Sequence, residues 1–402
     1  VNRVAITGLG CVSALGADAD AMAVALRHGR SGIGPLTFPH SEELQIKIGA
    51  EAAGFDPLKH FDEKKLVLLD RCAQLALVAA REAAQQSGLD FQSDIGTRTA
   101  MIVGVGVGGM STLDDSFRRL YIEGGKRAQP FTIPKLMISA PGSHVCMDLG
   151  IKGPSFTVAS ACASANHAIG VAYHMVRAGS VEFAVTGGTE AVFSLGAMKG
   201  WEAMRILAPD TCRPFSRNRS GLVIGEGAGM VVLENWDHAK ARGANVLGEI
   251  VGFGMSSDAG DIVMPSLEGA SAAIRACLDD GKLAPQDIEY INAHGTGTAA
   301  NDITETKAIH AVFGEHARKL CVSSTKSMHG HALGAAGAIE LAATLIALRD
   351  GFIPPTANYL EPDPQCDLDY VPNVARSQRV HVAMSNSFAF GGLNAILALR
   401  RE

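Results

Sequence analysis

The chemistry of this chain starts at Cys162. It lies in Phe156-Thr157-Val158-Ala159-Ser160-Ala161-Cys162-Ala163-Ser164-Ala165-Asn166-His167. The apolar, β-branched run ending at Ser160 predicts a strand, the small residues a sharp turn, and the Ala-rich stretch to about Gly179 a helix. A thiol in that turn meets the unpaired N–H groups and positive dipole end of the helix, which favour a thiolate. The same turn leaves a backbone N–H beside the sulfur, aimed where a tetrahedral oxyanion would form. Taken alone, a cysteine is more often a buried filler than a nucleophile. The other loops decide between the two.

Three of them put small and polar residues just after an apolar run, where α/β proteins place ligand-contacting loops. They are Asn292-Ala293-His294-Gly295-Thr296-Gly297-Thr298, Ser324-Thr325-Lys326-Ser327-Met328-His329-Gly330-His331 and Ser385-Asn386-Ser387-Phe388-Ala389-Phe390-Gly391-Gly392-Leu393-Asn394. A lone histidine or loop lysine is usually structural, but a thiol, two imidazoles and an ammonium together suit acyl transfer. His167 would lie about 140° round the helix from Cys162 and is read as structural. His329 and His331 lack a third ligand, so no metal is expected. Gly104-Val105-Gly106-Val107-Gly108-Gly109 lacks the spacing and the downstream acidic residue of a dinucleotide fingerprint, so these glycines are read as shaping a pocket.

The elements that must position these loops alternate. Expected strands are Val4 to Gly8, Thr99 to Val103, Phe183 to Thr186, Gly229 to Leu233, Leu247 to Phe253, Ile288 to Asn292, Cys321 to Ser323, Val380 to Met384 and Ala395 to Leu399. Expected helices are Ala19 to Arg27, Leu66 to Gln86, Leu136 to Leu149, Ala270 to Asp280, Ile303 to Phe313 and Ala335 to Leu348. The alternation implies α/β layering. The strand, polar turn and Ala-rich helix around Cys162 echo those around Lys326, which suggests a duplicated half with a seam near residue 245.

The chain has 402 residues, 47 % hydrophobic and 19 % charged, with a net charge of -6. That length exceeds the usual single core, and the acidic balance argues against nucleic acid as a partner. No apolar run reaches membrane-spanning length and no signal peptide is evident, so a soluble cytoplasmic protein is expected. The eight cysteines are scattered, without a metal or disulfide framework.

With these motifs in hand, the chain resembles the elongating β-ketoacyl-acyl-carrier-protein synthases, condensing enzymes of the thiolase fold. His-Gly-Thr-Gly-Thr, Lys-Ser-Met-x-Gly-His, Asn-Ser-Phe-x-Phe-Gly-Gly and Gly225-Glu226-Gly227-Ala228-Gly229 carry the resemblance, with Arg213-Pro214-Phe215. It implies two duplicated halves, 1–245 and 246–402, in a layered α-β-α-β-α sandwich. It implies that Cys162 holds the acyl group, with its own N–H and that of Phe390 as the oxyanion hole. His294 and His331 would donate to the enolate left when a malonyl group loses carbon dioxide. Lys326 would orient them, with Glu305 as its partner. The resemblance requires no cofactor and implies a homodimer that meets an acyl carrier protein, with the helix from Leu136 as an interface element.

The chain departs from that family's pattern. Its His329, Ala389 and Leu393 stand where Thr, Gly and Thr are usual, and Ala389 is expected to stiffen a gate formed with Phe388 and Phe390. Val107 and Thr132 would shape an acyl pocket for a medium or long chain. Lys64, Lys65, Lys126 and Arg127 would bind the carrier. Val67 and Leu68 stand where basic residues are typical, which points to a dedicated carrier. These features look closest to a specialised, nodulation-type branch. A housekeeping synthase, a very-long-chain synthase and a polyketide-type subunit are the alternatives. A degradative thiolase would need a second catalytic cysteine, and none follows Cys366. A nicotinamide oxidoreductase rests only on glycine runs.

Overall fold

The computed structural model describes residues 1–402. Ten strands make one sheet: β1 Val4–Ser13, β2 Thr99–Gly104, β3 Ser155–Val158, β4 Phe183–Glu190, β5 Gly227–Asn235, β6 Gly248–Ser257, β7 Tyr290–Asn292, β8 Cys321–Ser323, β9 Val382–Ala389 and β10 Leu393–Arg400. Their order is β8-β7-β9-β10-β6-β1-β5-β4-β2-β3. Read outward from the middle, each five-stranded half places its first, fifth, fourth, second and third strand in turn. In each half the two innermost pairings are antiparallel and the two outermost parallel. The two halves join where Val4–Ile6 pairs with Gly248–Ile250. This is the thiolase-type duplication.

Five helices give the layers: α1 Arg71–Ser87, α2 Ser164–Arg177, α3 Leu267–Gly281, α4 Ala299–Phe313 and α5 Ala336–Asp350. Every residue of α5 from Ala336 to Leu348 is buried. A helix apolar all round must be enclosed, and α5 packs beside α2 between the half-sheets, touching both. Helix α1 covers the outer face of the first half, and α3 with α4 the second. No helix is long and apolar enough to cross a membrane.

The expected helix from Leu66 to Gln86 is divided. Asp70 caps α1 by accepting from the Cys72 N–H at 3.0 Å, and a separate turn spans Glu63–Leu66. Capping residues compete with helix continuation. The expected helix Leu136 to Leu149 is also divided, into Thr132–Leu136 and Ala140–Leu149, with Pro141 at the start of the second. Strand β3 ends at Val158, two residues before Ser160, and is a sheet edge with Phe156 exposed.

Candidate active site

Cys162 stands in the turn between β3 and α2, two residues before the helix begins. Ala161 adopts φ +48, a left-handed conformation that costs a non-glycine residue energy and marks a forced elbow. Two side-chain contacts hold it. The Ser164 hydroxyl accepts from the Ser160 N–H at 2.9 Å and donates to the Ala161 carbonyl at 2.7 Å. His167 Nδ1 meets the Ser160 hydroxyl at 2.8 Å, a bracing role.

The thiol is not the low-pKa group that its place near a helix start suggests. Burial pushes it up to about 11, against the pull of Lys326 and the Phe390 amide, which both favour the thiolate. Desolvation outweighs the dipole because Cys162 is sunk among Leu44, Val192, Leu222, Ile224 and Leu333.

The second half supplies the donors. His294 follows β7 and His331 follows the turn after β8; their rings meet edge-on, centroids 5.4 Å apart. Lys326 Nζ donates to the His294 carbonyl at 2.7 Å and lies 3.3 Å from His294 Nδ1. An ammonium only donates, so that Nδ1 accepts and Nε2 carries the hydrogen. The Leu333 N–H donates to His331 Nδ1 at 3.2 Å, which puts the hydrogen on Nε2 there too. Burial and then Lys326 hold both imidazoles well below the usual histidine range. The site therefore contains two neutral N–H donors.

Lys326 pairs with Glu340 of α5, both side chains fully buried. This corrects the expected pairing with Glu305. Glu305, on α4, instead accepts from the His294 and Gly295 N–H groups at 2.9 and 2.8 Å and from Asn386 at 3.1 Å. Its carboxylate is spent on holding the His294 loop. A carboxylate in an apolar helix needs a buried partner, and Glu340 carries that signal in the sequence. A second missed residue is Glu190, which ends β4 and accepts four backbone N–H bonds.

One cavity of about 190 Å³ has Cys162, His294, His331, Phe388, Ala389 and Phe390 on its wall. Phe390 lies in the β9–β10 turn, whose Gly391 and Gly392 take φ +82 and +69. Its amide favours the Cys162 thiolate and its ring stacks on Trp201, centroids 6.3 Å apart. Val107 and Thr132 are not on this wall. Val107 is 42 % exposed, and Thr132 is buried with its hydroxyl 3.3 Å from that of Ser116. His329 Nε2 meets the Thr325 hydroxyl at 2.9 Å. Lys64 and Lys65 lie on the Glu63–Leu66 turn, Lys65 half-buried; Lys126 and Arg127 are exposed in a loop. The amides of Gly106 and Gly108 face Glu190.

Residues 1–239 match the family described as Beta-ketoacyl synthase, N-terminal domain, and residues 247–360 its C-terminal domain. The chain is a β-ketoacyl synthase. The synthase is 52 % identical to Nodulation protein E of Rhizobium sp. (strain N33) over 400 residues, covering 100 % of this chain and 99 % of the relative. It is 41 % identical to 3-oxoacyl-[acyl-carrier-protein] synthase 2 of Staphylococcus aureus (strain COL) over 407 residues, covering 100 % and 98 %. Among solved structures it is similar to the ishigamide ketosynthase/chain length factor, with a TM-score of 0.95, 36 % identity and coverage of 100 % and 99 %. The synthase is thus an acyltransferase-type condensing enzyme with the thiolase fold.

Proposed function

We propose that the synthase extends an acyl chain by two carbons on an acyl carrier protein. The observation that carries this is the convergence on one cavity of a thiol, the Phe390 amide and two neutral imidazoles. Cys162 Sγ attacks the acyl thioester, and the carrier thiol leaves with the proton. The Cys162 and Phe390 N–H groups take the oxyanion. A malonyl thioester then loses carbon dioxide. The enolate oxygen accepts from His294 and His331 Nε2–H, which as neutral donors do not quench the carbanion with a proton. Its α-carbon attacks the acyl carbonyl, Cys162 leaves, and a 3-oxoacyl thioester departs.

Within that reaction we place the protein in the specialised branch, acting on acyl chains for a signalling lipid through a dedicated carrier. Its 52 % identity to Nodulation protein E against 41 % to 3-oxoacyl-[acyl-carrier-protein] synthase 2 supports this. So does the exposed apolar Val67 beside Lys64 and Lys65, where a carrier would meet mixed rather than purely basic chemistry. A homodimer fits the edge strand β3, with Phe131, Ile133, Met147 and Phe156 exposed. A second copy there would cover Val107 and bring Thr132 into play for chain length. The test is intact-mass analysis after incubation with acyl-carriers of graded length, on a general and a specialised carrier. An adduct on Cys162 with a carrier preference supports the reading. Equal transfer from both carriers removes the dedicated carrier, and no adduct from any donor removes the mechanism.

A further inference from the structure

We propose that Glu190 is a positioning residue: it holds His331 in the tautomer that shows Nε2–H to the cavity and holds the Val107 loop in the same clasp. The inference rests on the condensing role given to His331 above.

Glu190 is fully buried at the end of β4. Its Oε2 accepts from the Gly106 N–H at 2.7 Å and the Gly334 N–H at 3.1 Å. Its Oε1 accepts from Val107 at 3.2 Å and Gly108 at 3.3 Å. Three of these donors belong to the first half of the chain and one to the second, so the carboxylate ties the halves together at the cavity. A Cβ added at Gly106 or Gly334 would lie 2.4 or 2.6 Å from Oε2, so the backbone reaches the carboxylate only because both are glycine.

The link to His331 is Leu333. It adopts φ +45, unfavourable for a branched side chain. In that conformation its N–H reaches His331 Nδ1 at 3.2 Å and its side chain packs in the cluster that contains Cys162. The next peptide donates its Gly334 N–H to Glu190. The strained residue is therefore fixed on both sides, by an imidazole and by a carboxylate. Released from Glu190, Leu333 would relax to negative φ, its N–H would turn away, and His331 would exchange between tautomers. Only an acceptor-only group satisfies this ring of donors; a Gln amide would set its NH2 against two N–H groups.

Two variants test the clasp. Glu190→Gln sets its NH2 against two of the four donors. Gly334→Ala sets a Cβ 2.6 Å from Oε2 and 2.2 Å from the Gly106 backbone N, so it strains the Gly334 bond and the Gly106 end of the loop together. The His331 tautomer is read from ¹⁵N-histidine spectra, assigned by difference against His331→Asn. Cys162 acylation by acyl-pantetheine and carbon dioxide release from malonyl-pantetheine are measured separately. In both variants both tautomers of His331 are expected. Acylation should stay within about threefold of wild type while carbon dioxide release falls at least about tenfold, less than deletion of the donor itself. A single unchanged tautomer in the folded variants overturns the proposal, as does an equal fall in both half-reactions. A wild type that yields neither adduct nor carbon dioxide defeats the functional reading instead, and the tautomer spectra still decide the clasp.

Discussion

Lys326 and Glu340 form an ion pair with neither side chain open to solvent. The pair sits under the active site, because Lys326 also donates to the His294 carbonyl. Breaking a buried pair leaves an uncompensated charge, at a cost of about 3–5 kcal/mol, whereas replacing both partners by apolar groups is often neutral. Glu340→Leu is therefore expected to lower the unfolding free energy by that amount in denaturant titrations. Lys326→Met with Glu340→Leu should recover most of it and remain inactive in condensation. Recovered activity in the double variant would show that the lysine has no part in the chemistry.

Cys162 should titrate late. With the thiol at about 11, labelling by iodoacetamide is expected to climb about tenfold per pH unit from pH 8 to 10, following the thiolate fraction. Lys326 favours the thiolate, so Lys326→Ala should slow labelling at pH 9. A plateau below pH 8 would contradict the burial argument.

Under the proposed function the two imidazoles act in one half-reaction. His294→Asn or His331→Asn should cost about 10²–10³-fold in malonyl decarboxylation, the worth of one preorganised donor. Mass spectrometry should still detect Cys162 acylation in either variant. Loss of the adduct in step with decarboxylation would mean that the histidines serve the thiol instead.

Ala389 closes the β9 end of the hairpin, paired with Leu393, and its side chain faces the cavity. Ala389→Gly loosens the backbone by roughly 0.5–1 kcal/mol. Long-chain acylation should quicken by about two- to fivefold, with the Phe390–Trp201 stack opening more often. The chain has two tryptophans, so Trp236→Phe leaves Trp201 as the fluorescent reporter of that stack.

Glu82 offers a pH test away from the chemistry. It accepts from the Cys11 and Ala19 N–H groups, and burial raises it to about 7. A raised carboxyl keeps its proton in the folded state after the unfolded chain has lost it. Its stabilising contribution is thus full below about pH 4.5 and is lost as the pH rises to about 7. The stability of wild type relative to Glu82→Gln should fall across that window and level off above it.

Much of this arrangement was legible in the residues. The strand at Cys321 to Ser323 and the helix at Ala19 to Arg27 fall where apolar patterning put them. The echo between the Cys162 and Lys326 segments corresponds to the third strand of each half-sheet and the turn after it. Partners brought together only by the folded layers were not legible. Glu305 lies in the first helix after the His294 loop and was the natural candidate to pair with Lys326. Helix α5, coming later, slides Glu340 beneath the lysine instead. The thiol's acidity was misjudged because a turn predicts the dipole but not the apolar cluster above it. Val107 falls outside the cavity because its side chain stays exposed, and Thr132 because it is buried against Ser116 instead.

The nucleophile comes from one half of the duplicated sheet and every histidine donor from the other. During synthesis Cys162 leaves the ribosome well before His294, Lys326, His331 and Phe390. Until those long-range contacts close, the slowest kind to form, the thiol is an ordinary cysteine with no oxyanion hole and no donors for a malonyl group. The site is therefore complete only once the second half has docked on the first.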